Sequence, residues 1–199
     1  MRKSILLGAM LLTAAAGYAQ ESRQDVSLSG FGLLQPNVNG AGAVYVKSSI
    51  TAGILASYRY LLTPHSGLEL NYSFAQNTMY FQCCGIYTEN PIHVRQQEAT
   101  AAYVFGLSFK NYNPFVEAGG GGVFYTPILN GTYTLDTKQQ TSIGVLYGGG
   151  VAYEISPSFD IRAEYRGFLC KSPDFGNAEF KTGRYEWLSL PAIGVAYHF

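Results

Sequence analysis

Charged side chains recur at strand-like spacing through much of the chain, and they are its first candidates for chemistry. The set comprises Arg59, Glu69, Glu98, Glu117, Glu154, Arg162, Glu164 and Arg166. Carboxylates facing guanidinium groups can form a buried ion-pair network, and paired carboxylates can also transfer protons. The sequence shows no substrate pocket beside them. We therefore expect a structural network, with a path for ions as the alternative reading.

The cysteines offer a second kind of chemistry. Cys83, Cys84 and Cys170 all fall in or beside predicted loops. A disulfide from Cys170 to either member of the vicinal pair would tie two loops together and leave one thiol over. The spacing of these thiols and His93 matches no standard zinc pattern, so we predict no metal site and no cofactor.

Two glycine runs could suggest a phosphate-binding loop. They span residues 119–122 and 148–150, lack the Lys and Ser or Thr of such a loop, and lie within a strand pattern. We interpret them as positions of close packing and bending in a narrow sheet.

Alternation of apolar with polar or small residues predicts the strands that position these side chains. In one segment Leu68, Leu70, Tyr72 and Phe74 alternate with Glu69, Asn71, Ser73 and Ala75. The predicted strands are 26–34, 50–60, 68–78, 97–109, 115–125, 141–155, 159–168 and 185–199. Most are near the roughly 9–11 residues that a tilted membrane-spanning strand needs.

The links between these strands alternate in length. Short turns are predicted at 62–67, 110–114 and 156–158, and longer links at 35–49, 79–96, 126–140 and 169–184. Aromatic residues mark both predicted rims. They are Tyr58, Tyr60, Phe109, Tyr153, Tyr197 and Phe199 on the turn side, and Tyr45, Tyr80, Phe124, Tyr125, Tyr185 and Trp187 on the loop side. This layout is typical of barrels in the bacterial outer membrane.

Composition and the N-terminus agree with a membrane location. Lys plus Arg and Asp plus Glu both number 13, which gives no basic excess for nucleic-acid binding, and charged residues are only 13%. Arg2 and Lys3 precede an apolar run and the small residues Gly17 and Ala19, which predicts a signal peptide over 1–19, cleaved between Ala19 and Gln20. No later apolar run is long enough for a spanning helix.

The C-terminus carries the most specific motif. Gly194, Tyr197 and Phe199 match the terminal-strand signal that the barrel assembly machinery reads, although Ala192 stands where a polar residue is usual. With the alternating links, residues 20–199 resemble the outer-membrane β-barrel domain family of small OmpA/OmpX-type barrels. The resemblance implies an all-β fold, an eight-stranded antiparallel up-and-down transmembrane barrel, in the cell outer membrane. A soluble lipocalin-like barrel is the structural alternative.

The resemblance leaves three functional readings. We favour a structural or loop-mediated binding role, because the lumen of eight strands is just wide enough to be filled by side chains. A minor porin or channel for ions or small solutes, hydrophobic solutes included, is the alternative. The expected partners are outer-membrane lipid and lipopolysaccharide, the assembly machinery during insertion, and an external ligand at the loops, with a monomeric chain and no nucleic acid.

Some small outer-membrane barrels are enzymes that act on lipid A with a Ser, a His and an acidic helper, which makes an enzyme the third reading. His65 beside Ser66 is the sole adjacent pair of these types, and it falls in a predicted periplasmic turn, on the wrong side for lipid A. His93 and His198 lack such partners in the sequence. We therefore predict no catalytic residues and no enzyme.

Overall fold

The computed structural model describes residues 23–40, 45–83, 86–128, 138–176 and 181–199. For residues 82, 83 and 86–90 the description covers the backbone alone. The predicted cleavage site between Ala19 and Gln20 lies outside the described residues, and it stays a prediction.

The described part of the chain contains ten β-strands, eight of which build the wall of a barrel. They are β1 (Gln24–Leu33), β2 (Val38–Asn39), β3 (Tyr45–Ser48), β4 (Thr51–Thr63), β5 (Ser66–Cys83), β6 (Ile86–Gly106), β7 (Tyr112–Ile128), β8 (Gln140–Ser156), β9 (Phe159–Lys171) and β10 (Tyr185–His198). Within these residues, no helix is long and apolar enough to cross a membrane.

Antiparallel pairing closes the sheet on itself. β1 pairs with β4 on one side and with β10 on the other, and β5 pairs with both β4 and β6. The short strands β2 and β3 extend the wall above β4, since β3 pairs with the far end of β5. The predicted eight-stranded antiparallel barrel is therefore confirmed, and closure leaves no long sheet edge unpaired in the membrane.

The two faces of the wall divide the residue types as the alternation predicts. Along β5, the apolar side chains of Leu68, Leu70 and Tyr72 are exposed on the outer face, whereas Glu69 and Asn71 between them are buried inside. This is inverted relative to a water-soluble barrel, in which the apolar face would point inward. The outer belt suits hydrocarbon, and the lipocalin-like alternative is wrong.

Strands β5 and β6 are much longer than predicted, since residues 79–83 and 86–96 continue the ladder instead of forming a loop. In this part, Met79, Phe81 and Val94 are buried inside while Arg95 is exposed outside. The chemistry of the two faces thus reverses above the membrane, where water covers the outer face. The predicted strands therefore stop at that reversal, because the prediction assumed an apolar outer face.

Two other sequence assignments need correction. Tyr125 was predicted on the outer rim, but its ring is fully buried inside the barrel because it lies on the inward face of β7. Phe109 was predicted within a strand, but β6 ends at Gly106. Phe109 instead bridges to Tyr112 across a tight turn, in which Lys110 has a φ of 49°.

Candidate functional site: the filled lumen

The charged network begins at the end of the lumen that the short turns surround. Arg59 of β4 lies opposite Glu69 of β5 in the ladder, and its Nε and Nη2 lie 2.6 and 2.5 Å from Glu69 Oε2. Arg162 of β9 contacts Asp25 Oδ1 at 3.1 Å and Glu69 Oε2 at 3.6 Å. The Arg59 guanidinium lies 4.6 Å from the centre of the Phe115 ring. The Glu69 carboxylate thus contacts both guanidinium groups, and the Phe115 ring lies against both as well.

A second ion-pair cluster lies further along β9, around Arg166. Its Nη2 lies 3.2 Å from Glu98 Oε1 and also donates to Thr100 Oγ1 at 3.2 Å. Its Nε lies 3.3 Å from Glu117 Oε1. Arg166 is 0% exposed. Strands β6, β7 and β9 therefore meet through one guanidinium in the middle of the lumen.

The structure places most of the predicted charged set inside the barrel. Arg59, Glu69, Glu98, Glu117, Arg162, Glu164 and Arg166 are buried, and Glu154 is half-buried near the turn end of β8. Sequence reasoning missed Asp25, because the first strand was predicted to begin at residue 26, two residues after the start of β1 at Gln24. It also missed Glu186, although its alternation with the outward-facing Trp187 was a usable signal.

A third polar cluster surrounds Glu186 near the external end. Gln35 Nε2 donates to Glu186 Oε2 at 2.7 Å, and the Tyr125 hydroxyl donates to Oε1 at 2.7 Å. Asn77 Nδ2 in turn donates to Gln35 Oε1 at 3.1 Å. Unlike the two clusters below it, this carboxylate is held by neutral donors, with no ion pair among the described residues.

Cys170 belongs to this third cluster. The sequence placed it in or beside an external loop, but the structure puts it within β9 as a buried free thiol. Its Sγ lies 3.6 Å from the Tyr125 hydroxyl and 3.9 Å from Glu186 Oε1. Because Cys170 is a free thiol, the structure does not form the predicted disulfide from it to Cys83 or Cys84, whose side chains lie outside the described residues.

Apolar layers separate and cover the polar clusters. Along the inward face of β9, charged Arg162, Glu164 and Arg166 are followed by Phe168 and then by Cys170. Phe168 lies opposite Leu146 of β8 and Leu188 of β10 in the ladder, and all three apolar side chains are buried. Above the Glu186 cluster, Phe175 packs edge-to-face on Phe81 and Tyr125, with ring centres 5.9 and 6.5 Å apart. The lumen is thus filled in successive layers.

The turn end of the lumen opens into a cavity of 120 Å³. Arg59, Arg162 and His65 line it, together with His198, whose Nε2 lies 2.8 Å from Asp160 Oδ2. Among the described residues, no group of three or more His, Cys, Asp or Glu side chains is placed to hold a metal ion.

The residues of the terminal motif lie in β10, between β9 and β1. Gly194 pairs with Arg162 on one side and with Ser29 on the other, where a Cβ would come within 2.5 Å of Ser29 Cα. The Tyr197 ring lies 5.1 Å from that of Phe159 and 6.1 Å from that of Phe199. The glycine thus permits close approach of β1, and the aromatic residues stack at the turn-side rim.

An apolar outer belt around a closed antiparallel wall defines a transmembrane barrel. The chain matches the model of the outer membrane protein β-barrel domain family over residues 4–199. It belongs to this family, and its location is the outer membrane.

Solved structures share the fold at low sequence identity. The outer membrane protein OprG from Pseudomonas aeruginosa is 12% identical with a TM-score of 0.65, covering 90% of this chain and 97% of that one. Neisserial surface protein A is 17% identical with a TM-score of 0.61, covering 89% and 98%. Outer membrane protein AlkL is 16% identical with a TM-score of 0.56, covering 92% of each chain. A sequence comparison with curated proteins finds no match.

Proposed function

We propose that this protein is a non-conducting outer-membrane barrel, whose role is structural or depends on binding at its external surface. The filled lumen is the observation that carries the proposal. Every second residue of β9, from Asp160 to Cys170, faces inward and is buried. Along the strand these residues are first charged, then apolar and then polar.

The ion pairs make the charged layers difficult to displace. Moving a solute past Arg166 would require separating its guanidinium from Glu98 and Glu117. An unpaired charge in a low-dielectric interior is expensive, by about 3–5 kcal/mol when one partner is removed. Further along β9, the next inward position is filled by the apolar side chain of Phe168, which offers a passing ion no polar group. The two layers oppose a water path for different physical reasons.

The extended wall supplies the external surface. Strands β5 and β6 contain 18 and 21 residues, well beyond the roughly 9–11 that span a membrane. Their far ends, with β2 and β3, enclose the apolar group that includes Val46, Met79 and Phe81. A rigid, packed extension of this kind can present a ligand-binding surface outside the lipid.

A planar-bilayer recording of the purified, refolded protein tests the proposal. Insertion is checked first, by protection of the spanning strands from protease in the same lipid. We expect an inserted protein that gives no discrete conductance steps. Reproducible steps would overturn the proposal and show a continuous water path through the lumen.

A minor channel is the second candidate, because the turn-side cavity already reaches Arg59 and Arg162. A channel would also require a water path past Arg166 and Phe168, whereas a plugged barrel has none. If the wild-type chain conducts, Arg162→Gln should change its ion selectivity, since that guanidinium lines the mouth. The exposed Arg95 offers a matched control, because Arg95→Gln removes the same charge outside the lumen.

A further inference from the structure

A groove of 410 Å³ lies on the outside of the wall at the external rim, where β1 and β10 meet. Its lining comprises Leu34, Gln35, Pro36, Ile50, Trp187 and Ser189. It is separate from the lumen side chains that the proposed function depends on, apart from Gln35, which forms part of its lining and donates to Glu186 inside.

The groove lies at the external end of the β1–β10 ladder, at and beyond its last bridge. Continuous pairing ends at Phe31 and Ala192, and the strands meet again through the single bridge of Leu34 and Ser189, with both N–H···O bonds at 2.9 Å. Pro191, in the gap, has no N–H to donate. The walls remain apolar and open, since Ile50 is 78% exposed and Trp187 47%.

Two cations lie directly beyond the groove on the external side. Lys171, the last residue of β9, is the ladder partner of Tyr185, and Arg184 precedes that tyrosine in the chain. Both cations are exposed, and neither forms an ion pair within the described ranges. Trp187 packs edge-to-face on Tyr147, with ring centres 5.5 Å apart. From membrane to exterior the order is therefore apolar groove, aromatic rim and cations.

We propose that this groove binds a phosphorylated lipid of the outer leaflet, with an acyl chain along Leu34, Ile50 and Trp187 and a phosphate held by Lys171 and Arg184. The order of the site matches that of the lipid, whose chains lie below its charged headgroup. Aromatic rings prefer this interface, and Lys and Arg bind phosphate through charge-assisted hydrogen bonds.

The sole tryptophan of the sequence gives a direct test, because Trp187 forms one wall of the groove. The full protein in a neutral detergent is titrated with diphosphorylated lipid A, and in parallel with phosphatidylcholine, while tryptophan emission is recorded. We expect a saturable change with lipid A at concentrations where phosphatidylcholine gives none. An equal response to both lipids would overturn the assignment of the phosphate.

Charge variants test the two cations. Lys171→Ser and Arg184→Ser should each weaken lipid A binding by about fivefold, the effect of one basic residue near an anionic membrane surface. Arg95→Ser is the matched control, because it removes an exposed external charge from β6, away from the groove, and it should leave binding unchanged. If Arg95→Ser weakens binding as much as Arg184→Ser does, the attraction is diffuse and the site is refuted.

An apolar variant tests the chain-binding part. Ile50→Ser lies outside the packed interior, so the barrel should fold normally while the affinity for lipid A falls. Unchanged affinity would refute the assignment of an acyl chain to the groove. Sedimentation of the same samples tests whether a second copy of the chain occupies the groove. A dimer that forms without lipid and that Ile50→Ser dissociates would show that the groove binds a second copy instead of a lipid.

Discussion

Arg166 shows how much of this lumen depends on single side chains. Among the described residues, it is the cation that forms ion pairs with Glu98 and Glu117. It is fully buried where strands β6, β7 and β9 meet. A buried ion pair adds little net stability over an apolar pair of the same shape. Losing one partner is different, because the remaining charges keep the full cost of their burial.

Arg166→Met should therefore destabilise the barrel by about 3–5 kcal/mol, because two carboxylates lose their cation. Urea-induced unfolding in lipid vesicles measures this change. Arg95→Met is the matched control, since the exposed Arg95 should change stability by less than about 0.5 kcal/mol.

A compensating variant separates charge from packing. Adding Glu98→Gln and Glu117→Gln to Arg166→Met removes the unpaired charges and should recover much of the lost stability. If the triple variant is no more stable than Arg166→Met alone, the guanidinium acts mainly through its volume.

At the scale of residues, the sequence predicted inward positions well but partners poorly. The period of two places Glu69 and Arg166 on the inner face without any structure. Which guanidinium meets which carboxylate depends on the stagger between strands distant in sequence, such as β6 and β9, and no local pattern encodes that. The inward position of Glu186 could have been predicted from its alternation with Trp187, but its partner Gln35 could not, since it lies 151 residues away.

Strand β10 closes the barrel, and its fit against β1 depends on a small residue. A Cβ at position 194 would meet Ser29 Cα at 2.5 Å, whereas one at Gly30, on the outer face of β1, would meet no atom within 4 Å. The need for glycine at position 194 is therefore a matter of space between the two strands.

Gly194→Ala should destabilise the barrel by about 1–3 kcal/mol through overpacking, and it should slow closure during folding into lipid vesicles. Gly30→Ala is the matched control and should fold and unfold like the wild type. Equal behaviour of the two variants would contradict the packing role of Gly194. If Gly194→Ala folds normally in vesicles but assembles slowly in cells, the residue would act through recognition by the assembly machinery.

Phe175, in the described segment that follows β9, packs onto the top of the lumen. The backbone N–H groups of Asp174 and Phe175 both donate to Gln140 Oε1 at 2.8 Å, and the Phe175 ring fills the space between Phe81 and Tyr125. Phe175 adopts a φ of 51°, which is unusual for a bulky residue. Ring packing must offset this backbone strain.

Phe175→Ala should release this segment while the spanning strands remain intact, because the lost contacts lie at the top of the barrel. Limited trypsin digestion of the reconstituted protein should show faster cleavage after the nearby Lys181. Tyr185→Ala removes a ring that is 72% exposed and should leave the cleavage rate unchanged. A global loss of stability in Phe175→Ala, without selective cleavage, would contradict local docking.

At the scale of elements, the number, order and direction of the wall strands were predictable, because lipid imposes one apolar face on each of them. The lengths of β5 and β6 were not. Above the lipid, water changes which face must be polar, so Met79 and Val94 are inward whereas Leu70 is outward. A sequence pattern that assumes one solvent along a whole strand cannot register that change.

The whole molecule is asymmetric along the membrane normal. The short turns, Arg23 and Phe199 lie at one end, and the far ends of β5 and β6 lie at the other. Barrels of this class face the periplasm with their short turns. Arg23 and Lys110 therefore face the periplasm, whereas Lys138, Lys181 and Arg184 face the exterior.

Trypsin added to intact cells should cleave the protein, if at all, after the external residues Lys138, Lys181 or Arg184, because the membrane shields the other end. Mass spectrometry of the fragments identifies the sites. After the outer membrane is permeabilised, cleavage after Lys110 becomes possible. Cleavage after Lys110 in intact cells would reverse the orientation.

The two ends of the barrel wall are also neighbours, since the Phe199 N–H donates to the Gln24 carbonyl at 3.0 Å and the adjacent Arg23 carbonyl accepts from Leu61 at 2.7 Å. A circular permutant follows from this proximity, as chains with adjacent ends often tolerate it. A short linker would join Phe199 to Arg23, and the chain would be opened between Ile128 and Lys138. Every wall strand would keep its neighbours, but the aromatic terminus would become an internal segment. Such a chain would show whether the barrel can fold without a C-terminal assembly signal, and whether a cell can still insert it into the outer membrane.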